Sequence, residues 1–120
     1  MSSAFSAILE RLVLGVPGLV GAVFADWDGE PVDQFSHAAT DEIQIMGAQW
    51  GVTVGEINRA LHRLGVGHTA ELWLEGDRAT AFVMPVTDKY FVVLFGKPEV
   101  NLGQVRHKLQ SAVALLRSEM

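Results

Sequence analysis

The sequence has 120 residues, enough for one domain and too few for two of ordinary size. Its 14 acidic and 9 basic residues give a formal net charge of −5, which disfavours binding to nucleic acid or to an anionic membrane surface. Cysteine is absent, which excludes disulfides, thiol catalysis and thiolate metal sites. Hydrophobic residues make up 49% of the chain, so we expect part of the apolar content to lie in an interface with another chain.

The beginning of the chain lacks the signals of export. The segment MSSAFSAILERL has neither the basic stretch nor the small-residue cleavage site of a signal peptide. No apolar run approaches the roughly 18 residues that a membrane span requires. We therefore expect a cytoplasmic protein, folded as a single domain over residues 1–120.

The first third of the chain predicts a helix followed by a hairpin. Apolar residues recur at spacings of three and four over residues 5–16, where Ser2 or Ser3 can cap the helix, and a Pro-Gly pair then ends it. Residues 19–27 are rich in Val, Ala and Phe and predict a strand. An Asp-Gly turn then leads into a return strand over residues 31–36.

The rest of the chain predicts a long helix, three strands and a last helix. Thr40 or Asp41 can cap the long helix, which runs to about Leu64. Strands are predicted over residues 70–75, 78–84 and 90–95, the last of them apolar on both faces and therefore central. The order α-β-β-α-β-β-β-α predicts an α+β fold, a five-stranded antiparallel sheet flanked by three helices.

The long helix presents two apolar surfaces. The first is typical of a core stripe and comprises Ile43, Met46, Trp50, Val54, Ile57, Leu61 and Leu64. The second contains a ridge of three glycines beside small and β-branched residues, namely Gly47, Gly51, Gly55, Ile45, Ala48 and Val52. Each glycine inside a helix costs about 1 kcal/mol relative to alanine, so the ridge needs a reason. It packs against the domain's own sheet, packs against a second helix across a dimer, or kinks the helix.

Catalytic or metal chemistry finds no support in the sequence. The four histidines never occur at the i, i+4 spacing of helical metal ligands, and the carboxylates around the first hairpin do not follow the order of a calcium loop. There is no Gly-x-Ser-x-Gly, and the stretch Gly51-Val-Thr-Val-Gly55 lacks the lysine of a P-loop. We expect no enzyme activity, no metal and no cofactor.

Trp73 is the one large apolar side chain on an otherwise polar strand face, which it shares with Glu71 and Glu75. Such a ring either anchors an interface or covers the end of the sheet.

Two stretches carry a resemblance to a known family. Leu9-x-x-Leu12, the run Val16-Pro-Gly-Leu-Val-Gly-Ala-Val23 and the hairpin Asp28-Gly-Glu-Pro31 resemble the roadblock/LC7 domains, whose fold is profilin-like. The order of elements matches across essentially the whole chain. The segment from Val86 to Leu94 with Lys97-Pro-Glu99 resembles the bacterial Mgl-type members, and among them MglC more than the GTPase-activating MglB.

The resemblance implies a non-catalytic dimer that regulates or scaffolds a small Ras-like GTPase in a bacterial cell-polarity or motility system. The partner would be the GTPase or a second roadblock protein. In such dimers the second helices pack together and the third strands join the sheets. This implies a homodimer interface formed by Ile45, Gly47, Ala48, Gly51, Val52, Gly55, Glu71 and Trp73.

The alternative hypothesis is a small-molecule sensor of the PAS or GAF type. It requires a pocket between sheet and helix that is lined with polar groups. The almost wholly apolar strand over residues 90–95 offers few of them.

Overall fold

A computed structural model describes residues 3–37 and 40–120, and the side chains of residues 40–46 lie outside this description. The predicted cap Ser2 and the side chains of the predicted caps Thr40 and Asp41 therefore fall outside it. Within the described residues the helices and strands follow the predicted order: α1 Ala4–Leu14, β1 Leu19–Asp26, β2 Pro31–Ser36, α2 Thr40–Arg63, β3 Leu72–Glu75, β4 Thr80–Pro85, β5 Tyr90–Gly96 and α3 Leu102–Ser118. The predicted α+β fold class is confirmed.

Short polar side chains begin the first and last helices. The Ser3 hydroxyl accepts a hydrogen bond from the backbone N–H of Ser6 at 3.1 Å, and the Asn101 side chain accepts one from Gln104 at 2.9 Å. Both bonds satisfy a donor that the first turn of a helix leaves without an intrahelical partner. Gly18, in the turn after α1, has a φ of 94°, which favours glycine.

The five strands form one antiparallel sheet in the order β2-β1-β5-β4-β3. The predicted central position of the strand over residues 90–95 is confirmed, because β5 lies in the middle and is buried from Phe91 to Gly96. The strands β2 and β3 form the two edges. An edge strand leaves one side of its backbone without a partner strand.

Each face of the sheet carries its own hydrophobic cluster. On one face, α1 and α3 cover side chains such as Phe24, Phe82 and Leu94, which are at most 1% exposed. On the other face, a smaller cluster joins Val54 of α2 to side chains of the sheet. Its strand members are Val23, Ala25, Ala81, Val83, Phe91, Val93 and Phe95. The two faces differ in how completely their helices cover them.

Candidate interaction surface

Two of the three ridge glycines pack against the domain's own sheet. A Cβ at Gly47 would lie 2.9 Å from Val23 Cγ1, and one at Gly51 would lie 3.4 Å from the carbonyl oxygen of Trp27. At Gly55 a Cβ would meet only the Arg59 guanidinium, at 3.7 Å. Of the three explanations for the ridge, close approach to the sheet therefore accounts for the first two glycines and leaves Gly55 without a packing reason.

Gly47, Gly51 and Val54 face the sheet, whereas most of the large apolar stripe does not. The predicted core stripe is confirmed in part: Val54 is fully buried and Trp50 packs against the cluster, but Ile57 and Leu61 are only half-buried and Leu64 is exposed. The other two members, Ile43 and Met46, have side chains outside the described part of the chain. The glycines bring the helix axis close to the sheet, so the bulky side chains beside them are placed on the helix flank.

The two flanks of α2 face different parts of the domain. A Cβ at Gly29 would lie 3.0 Å from Ala48 Cα, so Ala48 faces the turn between β1 and β2. Trp50 is about 160° away from Ala48 around the helix. It packs with Leu72 of β3 against the same cluster. The flank that carries Trp50 therefore lies on the β3 side of the helix.

The helix covers only part of its sheet face. The close approaches of α2 to the sheet are to β1, β2 and β5. Towards the β3 edge, Leu72 is half-buried and Leu74 is 47% exposed. No strand of the described residues pairs with the outer side of β3. A partly uncovered apolar surface thus lies directly beside an open sheet edge. We call it the β3-side surface, and it consists of the α2 flank with Trp50, Ile57 and Leu61 together with Leu72 and Leu74 of β3.

The predicted interface residues on α2 do not share one environment. Gly47, Gly51 and Ala48 contact the sheet or hairpin of their own domain. Val52 is 60% exposed, Gly55 is half-buried, and the side chain of Ile45 lies outside the described residues. Of the described members on α2, Val52 alone is exposed, while Ala48 and Gly55 are half-buried.

The two predicted interface residues near β3 are held within the domain, on the face opposite α2. The Nε of Arg106 on α3 donates a hydrogen bond to a carboxylate oxygen of Glu71 at 3.0 Å. The Trp73 ring meets the Phe82 ring edge-on, with centroids 5.7 Å apart. Of the two interpretations of Trp73, covering the end of the sheet matches this contact.

Sequence reasoning missed the exposed residues of the β3 side. Leu72 and Leu74 occupy alternate positions of the strand predicted over residues 70–75 and so share one face, but Leu74 lies beyond the close approaches of α2. Leu64 and Val66, just after α2, are also exposed. The length of α2 was the available signal, because its 24 residues span about 36 Å and the eight residues of β1 span only about 26 Å.

The acidic hairpin is a turn, as expected. The Asp26 carboxylate accepts hydrogen bonds from the backbone N–H groups of Asp28 and Glu30, both at 3.0 Å, and Gly29 has a φ of 90°. In the part of the chain that the structure describes, no three His, Asp or Glu side chains come together as a metal site. Nor does any described helix combine the length and apolarity needed to cross a membrane.

Comparison with solved structures identifies the fold. A roadblock/LC7 domain from Streptomyces avermitilis has a TM-score of 0.88 at 19% identity, covering 95% of each chain. MglB from Myxococcus xanthus has a TM-score of 0.89 at 15% identity, covering 97% of this chain and 94% of that one. The chain therefore has the roadblock/LC7 fold, and Mgl-type proteins are among its structural neighbours.

A second Mgl-type protein shows the same fold. MglC from Myxococcus xanthus has a TM-score of 0.71 at 22% identity, covering 98% of this chain and all of that one. MglB therefore superposes better on this chain, whereas MglC has the higher sequence identity to it. The predicted closer similarity to MglC than to MglB stays a prediction. No family model matches the sequence, and no curated protein does.

The glycine packing predicts opposite effects of the same substitution at two positions. Gly47→Ala forces the Val23 side chain to move and should destabilise the domain by about 1–3 kcal/mol. Gly55→Ala meets no obstacle and should stabilise the helix by about 0.5–1 kcal/mol. Urea unfolding at one fixed protein concentration measures both changes. Equal effects at the two positions would contradict the assigned orientation of α2.

Proposed function

We propose that this chain is a non-catalytic homodimer that regulates or scaffolds a small Ras-like GTPase in a bacterial cytoplasm. The observation that carries the proposal is the β3-side surface, half-covered by α2 and adjacent to an open sheet edge. Mgl-type roadblock proteins among the structural neighbours fit a role in GTPase regulation. The GTPase and its pathway, of the cell-polarity or motility type, belong to the proposal.

A second copy of the chain satisfies the β3 edge and the apolar surface together. Antiparallel pairing of two β3 strands supplies the backbone hydrogen bonds that each edge lacks. The same two-fold symmetry places the Trp50 flank of one α2 beside that of the partner, which covers Leu74 on both sides. Burial of this surface is favourable at about 25 cal/mol per Å² of apolar area, before the cost of association is subtracted.

The dimer would act by binding and positioning rather than by chemistry. Two joined sheets with two adjacent helices form an extended platform for a GTPase or for a second roadblock protein. One neighbour is described as MglB with a tetrameric arrangement, which supports assembly beyond the dimer as part of this proposal. Any effect on GTP hydrolysis would then come from the orientation of the GTPase's own groups.

The sensor hypothesis has one specific observation in its favour. A cleft of about 310 Å³ at one end of the sheet is lined by Trp27, Thr69, Arg117 and six other residues. The Thr69 hydroxyl is buried and has no hydrogen-bond partner among the described residues. The cleft lies beside the end of α2 rather than between the helix and the sheet, where a PAS-like or GAF-like pocket is expected.

Matched substitutions on the two edge strands test the dimer. Leu74→Asp on β3 should weaken self-association at least about tenfold, because the dimer would bury an unpaired carboxylate. Val32→Asp on β2 is the control, since Val32 is 43% exposed on the opposite edge. Sedimentation equilibrium measures both dissociation constants. Equal weakening by the two variants, or none by Leu74→Asp, would exclude pairing through β3.

The same assay decides between the two flanks of α2. Val52→Asp alters the flank that the sequence predicted as the interface, and it should leave the dissociation constant within about twofold of wild type. If Val52→Asp dissociates the dimer and Leu74→Asp does not, the interface lies on the hairpin side of α2.

The role in GTPase regulation is tested by mixing the purified chain with the Ras-like GTPase of the same organism, loaded with GDP or with a non-hydrolysable GTP analogue. We expect a heavier complex in analytical ultracentrifugation with the GTPase itself, or with it and a second roadblock protein. A dimer that binds neither protein in either nucleotide state would contradict the scaffold role while leaving the dimer intact.

A further inference from the structure

A groove of about 230 Å³ lies between α1 and α3, on the face of the sheet opposite α2. Leu12 and Ala112 form its buried floor. Ile8 on one wall is half-buried, and Leu115 on the other is 44% exposed. Because the Ala112 side chain is small, it leaves room above the floor of the groove for an apolar side chain of another molecule.

Basic side chains line both rims of this groove. Arg11 lies on the α1 rim, and His107 and Lys108 lie on the α3 rim. No Asp or Glu is among the residues that line it. Among the residues that the structure describes, the only ion pair joins Arg106 to Glu71, so no carboxylate neutralises Arg11 or Lys108. In a chain of net charge −5, this is a local basic surface around an apolar floor.

We propose that the groove binds an acidic amphipathic helix from a partner protein. A helix lying between two others places apolar side chains at spacings of three and four into the groove. Carboxylates beside that apolar stripe would then meet Arg11 on one side and Lys108 on the other. Charge complementarity of this kind favours an acidic partner and rejects a basic one.

This site is separate from the proposed dimer interface. The groove and the β3-side surface lie on opposite faces of the sheet, so a dimer would carry two grooves that remain accessible. An anionic membrane fits the chain less well than a helix does. A flat anionic membrane would face a wide area of a chain with 14 acidic residues, whereas a single helix contacts only the basic groove.

The test uses the full chain and a fluorescent peptide of about 18 residues, a helix about as long as α3. The peptide carries Leu at helical i, i+3, i+4 and i+7 spacing with Glu on both sides of the stripe. Fluorescence anisotropy should show binding that weakens as salt is raised. A second peptide with every Glu replaced by Lys should bind at least about tenfold more weakly.

Paired charge reversals locate the binding site on the protein. Arg11→Glu with Lys108→Glu should weaken binding of the acidic peptide roughly tenfold or more. Lys89→Glu with Lys97→Glu makes the same change in net charge at exposed positions outside the groove, and it should have little effect. Circular dichroism and sedimentation should show both variants folded, with unchanged self-association.

Three results would overturn the proposal. The first is failure of the acidic peptide to bind the wild-type chain even at high peptide concentration. The second is equal weakening by the two paired variants, which would indicate a net-charge effect. The third is groove-dependent binding to phosphatidylserine vesicles in preference to the peptide, which would make the groove a membrane-binding surface. None of these results would affect the dimer tested through Leu74.

Discussion

The close approach of α2 to the sheet at Gly47 and Gly51 determines much of the architecture on that face. The two glycines let the helix backbone lie against Val23 and the end of β1, where a Cβ at Gly47 would come within 2.9 Å of a valine methyl. Because Gly47, Gly51 and Val54 occupy the side that faces the sheet, Trp50, Ile57 and Leu61 project from the flank. The helix therefore covers β1 and β2 well and leaves the β3 half of the face only partly covered.

The helices cover one face of the sheet completely and the other face only in part. We call these the complete face and the incomplete face. On the complete face, α1 and α3 enclose a continuous hydrophobic cluster, and Trp73 and Glu71 add contacts at its edge. On the incomplete face, apolar side chains lie beside an unpaired strand edge, a combination that favours association with another chain. The proposed dimer follows from this asymmetry, and the proposed peptide groove uses the outer surface of the complete face.

The sequence predicted the order of elements, the central position of β5 and the acidic turn, because each depends on local spacing or on turn chemistry. The orientation of α2 was not predictable in the same way. A helical wheel shows that Gly47 and Val54 lie on one side of α2 and that Trp50 lies on the adjacent side. It does not show which of the two sides packs against the sheet. Large apolar residues usually do, and here Gly47 and Gly51 do so together with Val54. Glu71 was placed by a contact with α3 that is distant in sequence, and Trp73 by its cross-strand neighbour Phe82 on β4.

In the proposed dimer a second copy of the chain closes the β3 edge. Hydrogen–deuterium exchange measured at several protein concentrations tests it most directly. If two β3 strands pair, the β3 amides without a partner on β4 exchange fast in dilute protein and become protected as the dimer forms, while the amides on the outer side of β2 remain fast. Protection that never appears on β3, or that appears on β2 instead, would contradict it.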